Sequence, residues 1–333
     1  MVKTGSDKWK VKLLSSSLPL EFEVARLMAR RGFTVAADFP YLRDDGGIQK
    51  EFSVDIIAGW LASKLRKVNA SCWLSLLLEC KYRRRGISWL FLPDPEGGPL
   101  TFTSSGHVVR VVDEFSTWFV HRSPDHFDRM TPRAYKGTEI DIEDGAVDDS
   151  RIRHGLSQLQ HALPALLSER IRDAVSQHPE DNAPFLYAGV LVTNAPIILA
   201  HRQLGMKQVE RAATVSELGE VVPYLSVHVE TGPQFELHVA SQCNQLLKHV
   251  KDEGFKAIEA SRRAANQPEY CLPSVLAVSL SAGHTHFSFN HPFNQVIVCN
   301  VAHLAELIGL IKDETLRVNR SIRAYHRPRK RLR

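Results

Sequence analysis

Apolar residues begin to recur at helical spacing from Leu20: Leu20, Val24, Leu27 and Met28 share one face. Pro19 suits a first turn, Arg30 and Arg31 suit the negative end of the helix dipole, and Gly32 suits the stop. The pattern predicts an amphipathic helix of about three turns. A short strand over 33–37 follows, and then a polar turn at Asp44, Asp45, Gly46 and Gly47. Two more strands are expected, over 52–58 and 72–82. The second is nearly all apolar from Trp73 to Leu78, which suits a central strand covered on both faces.

Between Arg83 and Ser150 the pattern is poor. Pro93, Pro95, Gly97, Gly98 and Pro99 mark a loop, Val108 to Val112 can form a strand, and the acidic run from Glu139 to Asp149 is expected to be exposed. This stretch reads as an insertion. Helical spacing returns with Ile152, Leu156, Leu159, Leu163, Leu167 and Ile171, in a helix that Pro164 should kink or split. A buried strand over 185–192 ends at Thr193 and Asn194. Helix, three strands, helix, strand is an α/β order and predicts a mixed sheet flanked by helices. Beyond residue 200, strands over 224–229 and 296–299 and a long final helix from Leu304 either extend that sheet or form a second small domain. The expected organisation is a core over 13–200 with its insertion at 83–150, an α/β extension over 201–316 and a basic tail over 317–333.

Composition narrows the class. The 333 residues are 44% hydrophobic and 24% charged, an ordinary globular balance. The longest apolar stretch, Leu186 to Ala200, is broken by Thr193, Asn194 and Pro196 and falls short of the roughly 20 residues that span a bilayer. No apolar segment follows the lysines of the first twelve residues, so a secretory signal is not expected. Five scattered cysteines without a CxxC pair read as reduced thiols of a cytoplasmic protein. The formal charge of +5 comes from 42 basic against 37 acidic residues. Residues 317–333 hold eight of the basic ones and no acid, so removing those eight from the 42 leaves 34 against 37.

Chemistry concentrates on two strands. Asp55 lies in Phe52-Ser-Val-Asp-Ile-Ile-Ala58, and Glu79 and Lys81 lie in Leu76-Leu-Leu-Glu-Cys-Lys-Tyr82. Alternation puts Glu79 and Lys81 on one face and Leu78 and Cys80 on the other. Charges in so apolar a strand need a partner, an ion or solvent, because unpaired burial is costly. If the Asp55 strand is the antiparallel neighbour, a second carboxylate joins the same face. Two carboxylates and an ammonium suit metal-assisted phosphodiester hydrolysis. Hard oxygens from Asp55 and Glu79 would hold Mg²⁺, with Mn²⁺ as a substitute, and Lys81 would orient water or offset phosphate charge. Glu21 or Glu23 could complete the shell, and helical spacing alone does not choose between them.

A helix carboxylate, a strand Asp and then Glu-x-Lys on the next strand resembles the PD-(D/E)xK nuclease superfamily, in its restriction-endonuclease-like, Mrr-type branch. The matching pieces are residues 20–33, 52–58 and 77–82, with a weaker match at Gly189-Val-Leu-Val-Thr-Asn-Ala195. Val54 stands where the motif's name has proline. The resemblance implies a restriction-endonuclease-like core with Asp55 and Glu79 as metal ligands and the main-chain carbonyl of Cys80 as a further one. It also implies Lys81 as the catalytic lysine, and it favours Glu21 over Glu23. Gln158 and Gln160 sit where such proteins carry a polar active-site helix residue, and either could face the site.

These readings lead to a Mg²⁺-dependent DNA endonuclease of restriction or mobile-element and phage defence type, alone, as a homodimer or within a larger complex. The alternative is a nucleic-acid-binding or scaffold subunit that keeps the fold without activity. Arg83, Arg84 and Arg85 directly follow the proposed active strand, and Arg327, Arg329, Lys330 and Arg331 crowd the tail. Both groups are candidate phosphate contacts. His284, His286 and His291 could share a strand face, but no Cys or carboxylate lies near them in sequence. Neither GxxxxGK[ST], GxSxG nor HExxH occurs.

Overall fold

The computed structural model describes residues 8–62, 72–95, 110–112, 131–176, 185–252 and 294–325. They form one mixed sheet of 12 strands with helices on both faces. Helices α1 (Lys8–Ser15) and α2 (Leu18–Arg30) open the chain. A long hairpin follows, β1 (Thr34–Asp45) and β2 (Ile48–Ala62), and then β3 (Cys72–Lys81), antiparallel to β2. Asp45 pairs with Ile48 across Gly46 and Gly47, whose φ values of 69° and 87° are those a two-residue type I′ turn requires. Both hairpin strands run well past the stretches expected from sequence. Their outer halves carry Arg43, Asp44, Gln49 and Lys50, which conceal the alternation.

Strands β4 (Ile87–Pro93), β5 (Arg110–Val112), β6 (Arg133–Asp141) and β7 (Ala146–Asp148) come next, then α3 (Ser150–Ser176), which is continuous through Pro164. After it come β8 (Phe185–Thr193), β9 (Ile197–Ala200), α4 (Met206–Arg211), β10 (Gly219–Val222), β11 (Tyr224–His228), α5 (Pro233–Asp252), β12 (Gln295–Asn300) and α6 (Leu304–Tyr325). The sheet order is β1-β2-β3-β8-β12-β11-β6-β4-β9-β10, with β5 paired to β8 and β7 to β6. Strand β8 is parallel to β3 on one side and to β12 on the other.

Two further features differ from the sequence reading, beside the longer hairpin strands and the helix that Pro164 does not split. The described parts of 83–150 are sheet strands, because Trp89 and Phe91 of β4 are fully buried in the core beneath α3. The acidic run is not wholly exposed either. Glu139 and Asp141 on β6 are only partly exposed, while residues 142–148 face solvent. The segment beyond residue 200 extends the first sheet: β12 lies beside β8, and β11 and β10 pair further out.

Two cores result. Helices α3 and α5 cover one face through Leu159, Leu163, Val239 and Leu246, while α2 and α6 cover the other through Leu20, Val24, Met28, Leu304 and Ile308. Strand β3 shows why a run can be apolar throughout: Leu77 enters the first core, and Leu74, Leu76 and Leu78 enter the second. The β1–β2 hairpin crosses between the two. Phe52 and Val54 face the first core, but Ile56 and Ala58, of the same parity, face the second. Strand β1 switches likewise between Val35 and Phe39. The switch falls at Asp38, held at φ 54°, and at Asp55 opposite, while the register is unchanged on either side.

Between α3 and α5, His161 lies against Phe235 and His238, with ring centroids 5.1 and 5.3 Å away. His161 Nδ1–H donates to Ser157 O at 2.8 Å, and His238 Nε2–H donates to His161 O at 2.8 Å. Burial pushes the His161 pKa down to about 4, with His238 and Arg43 adding to the effect. The unfolded chain therefore binds the proton first, and stability should be lost as pH falls from ordinary histidine values toward about 4. Urea unfolding across that window should show His161→Phe with a shallower acid loss than wild type. Identical slopes would remove His161 as the cause.

Candidate active site

The site forms where two strands part. Strands β2 and β3 pair residue by residue from Ala62/Cys72 up to Ile56/Leu78, and there the pairing ends. The next two residues across the gap are Asp55 and Glu79. Side chains replace the lost ladder bonds: Cys80 N–H donates to Asp55 Oδ2 at 2.6 Å, and Asp55 N–H reaches Glu79 Oε2 at 3.4 Å. Each carboxylate caps the other strand's backbone. In a strand the N–H and C=O of one residue point to the same side, so the Cys80 carbonyl faces the opening as well. Its thiol lies in the second core, where burial holds its pKa well above the ordinary value.

Lys81 Nζ donates to Glu79 Oε1 and, at 3.2 Å, to Gln158 Oε1. Gln158 Nε2 donates to Ser53 O at 3.2 Å, which fixes the amide. An ammonium has three protons, so one remains for a substrate or water. Gly155, one turn before Gln158 on α3, allows this approach. A Cβ there would lie 2.6 Å from Leu191 Cδ1 and 3.4 Å from Lys81 Cε.

Residues that the sequence reading did not single out hold the end of β3. Thr193 Oγ1–H donates to Lys81 O at 2.9 Å, and Asn194 bonds both Arg83 N–H and Arg83 O, at 2.6 and 2.7 Å. Two polar residues closing an otherwise apolar strand are the only sequence signal for that clamp. On the other side, Ser17 Oγ accepts from Tyr82 N–H at 3.0 Å, which seats the first turn of α2 at the same strand end.

That seating decides between the helix carboxylates. Glu21 is half-buried; burial, then Asp55 and Asp38, push its pKa up, and Lys81 opposes them. Glu23 is exposed on the helix. Asp38, opposite Asp55 on β1, is thus a fourth carboxylate whose charge acts on the site. Gln160 is not part of it. Its Nε2 donates to Val229 O and Glu230 O at 3.4 and 3.3 Å, because two residues along a helix turn the side chain to another face.

The arginines are also redistributed. Arg83 is buried, bonded to Glu139 and stacked over Trp89 with the guanidinium 5.6 Å from the ring. Arg84 pairs with Asp141, Glu143 and Asp144. The acidic run thus offsets both charges, with Arg83 buried and Arg84 at the surface. Arg85 is exposed. Arg327, Arg329, Lys330, Arg331 and the three histidines at 284, 286 and 291 lie outside the described residues.

Glu79 is 1% exposed. Its burial and the Asp55 charge beside it push its pKa up to about 7, against the pull of Lys81. Burial raises Asp55 as well, while the Cys80 N–H opposes the shift. Among the described residues no three His, Cys, Asp or Glu side chains converge as a ready-made metal cage. Two convergent carboxylates nevertheless match the donors that Mg²⁺ takes from protein, since it typically keeps several waters.

The raised Glu79 pKa has a stability consequence of definite sign. The folded state holds a proton that the unfolded state releases, so metal-free stability should fall as pH rises from the ordinary carboxylate range through about 7. Thermal melts in EDTA should show Glu79→Gln melting higher than wild type at pH 8, by roughly 4 °C or more. At pH 5 the two should be nearly equal. A variant less stable than wild type at pH 8 would contradict this account of Glu79.

Compared with known proteins, the chain matches no family model, no curated protein and no solved structure.

Proposed function

We propose that the protein is a divalent-metal-dependent nuclease that hydrolyses DNA phosphodiester bonds at the opening between β2 and β3. The observation that carries this reading is the joint placement of Asp55, Glu79 and Lys81 at a break in the sheet, with Gln158 fixing the lysine. The order of elements supports it. Helix α2, the antiparallel β1-β2-β3, helix α3 and β8 parallel to β3 follow the arrangement expected of a restriction-endonuclease-like core. Strands β4 to β7 enter between β3 and α3.

In this mechanism Asp55, Glu79 and the Cys80 carbonyl would hold Mg²⁺, with Glu21 at its outer edge. The bound ion supplies a polarised phosphoryl oxygen and a more acidic attacking water. The free proton of Lys81 would donate to a non-bridging phosphate oxygen, where negative charge grows in the transition state. Gln158 acts through Lys81 and is a positioning residue. Because Glu79 must lose its proton to act as a ligand, metal affinity should rise with pH through neutrality.

Purified protein with Mg²⁺ or Mn²⁺, on plasmid, linear and single-stranded DNA and on RNA, tests this. Lys81→Ala and Asp55→Asn should each lose about 10²-fold or more in cleavage rate, and Gln158→Ala roughly tenfold. Gln160→Ala should cleave like wild type. Equal residual cleavage in wild type and Lys81→Ala would sink the hydrolytic reading.

A further inference from the structure

Resting on that reading of the Asp55–Glu79 centre, we propose that Arg43 and Arg151, with His154 between them, form the rim that grips the phosphate backbone of a DNA duplex beside the cleavage site. Sequence order pointed to Arg83, Arg84 and Arg85; the fold buries Arg83 against Glu139, pairs Arg84 with Asp141, Glu143 and Asp144, and leaves Arg85 exposed. Further cations come from β1 and from the first turn of α3.

Their placement follows from the contacts of α3. Gly155 brings α3 against Lys81, and Gln158 ties it to Ser53, two residues from Asp55. Ile152 anchors the first turn in the core, so Arg151 and His154 emerge on the exposed side. On the outer half of the hairpin, Arg43 of β1 holds its guanidinium 4.9 Å from the Phe52 ring, and Phe52 packs against the same core. The stacking leaves the guanidinium edge for an anion.

What separates this group from Arg83, Arg84 and Arg153 is the absence of counter-charge. Arg83 has Glu139, Arg84 has three carboxylates, and Arg153 has Asp149 at 3.5 Å. Neither Arg43 nor Arg151 has a carboxylate within ion-pair distance among the described residues. Like charges are instead gathered: burial comes first, but Lys81, Arg151 and Arg43 all disfavour a proton on His154. Arg151 also disfavours the charge on Arg83. Cations assembled without acids repel one another, and a polyanion laid across them relieves that repulsion. A duplex brings phosphates at regular spacing, so one backbone can meet this rim while a neighbouring phosphate enters the carboxylate site.

Fluorescence anisotropy with a labelled 30-bp DNA duplex of mixed sequence, in EDTA and in Ca²⁺, tests the rim apart from chemistry. Arg43→Ala/Arg151→Ala should bind at least tenfold more weakly at 0.1 M salt. Its plot of log affinity against log salt should be shallower by about 1.8, the value for two lost phosphate contacts. Arg43→Lys/Arg151→Lys should restore the slope, and Arg84→Ala should bind like wild type. Unchanged affinity and slope in the alanine pair, or no duplex binding by wild type at low salt, would overturn the rim. If the alanine pair binds like wild type while Lys81→Ala abolishes cleavage, the rim fails and the hydrolytic reading stands. If the pair loses binding but wild type never cleaves, the rim stands and the hydrolytic reading fails.

Discussion

The termination of one β-ladder is the constraint on which the rest of this structure depends. Were β2 and β3 to continue pairing past Ile56 and Leu78, Asp55 and Glu79 would be ordinary facing strand residues, and the Cys80 amide would meet a backbone carbonyl of β2. The strands part instead, and the carboxylates take over the orphaned amides. Buried N–H groups must find acceptors, so the acids hold the opening apart while the opening holds the acids together. This reciprocity explains how two carboxylates survive side by side at the end of so apolar a strand. It also explains why one of them keeps a proton so readily.

The crossover of the β1–β2 hairpin is the large-scale counterpart of that break. A strand normally shows the same residue parity to the same layer along its whole length. Here both strands exchange faces at opposed positions, Asp38 and Asp55, so the hairpin serves one core with its outer half and the other core with its inner half. Unchanged register shows that the exchange is a rotation shared by the two strands and not an added residue. The acid at the crossover is thereby aimed along the sheet toward β3, where the amide of Cys80 meets it.

Much of this was legible in the sequence. The α2 periodicity, the Asp55 strand, the apolar β3 with its Glu-x-Lys and the helix ahead of β8 are local patterns, and local patterns survive folding. Strands β4 and β6 were hidden because proline, glycine and acidic residues flank them, and because they pair with each other across an intervening segment and, on their other sides, with β9 and β11, more than 80 residues away. The choice of Glu21 over Glu23, and of Gln158 over Gln160, depended on how α2 and α3 are rotated about their axes. Those rotations are set by Ser17 gripping Tyr82 and by Gly155 admitting Lys81.

Sequence by itself determined which charged residues need one another: acids and a lysine inside apolar strands are costly unless they are brought together, and that cost shows without coordinates. Only the tertiary structure decided which charges are free to act. Arg83, Arg84 and Arg85 look alike in sequence, but pairing depends on which acids lie across the sheet, and β6 brings Glu139 and Asp141 to the first two. Arg43 and Arg151 lie more than 100 residues apart and carry no motif. What they share is an effect on His154, on which both charges act. Coulomb forces act through space while sequence is ordered along the chain, so the acids could be read directly and their cations could not.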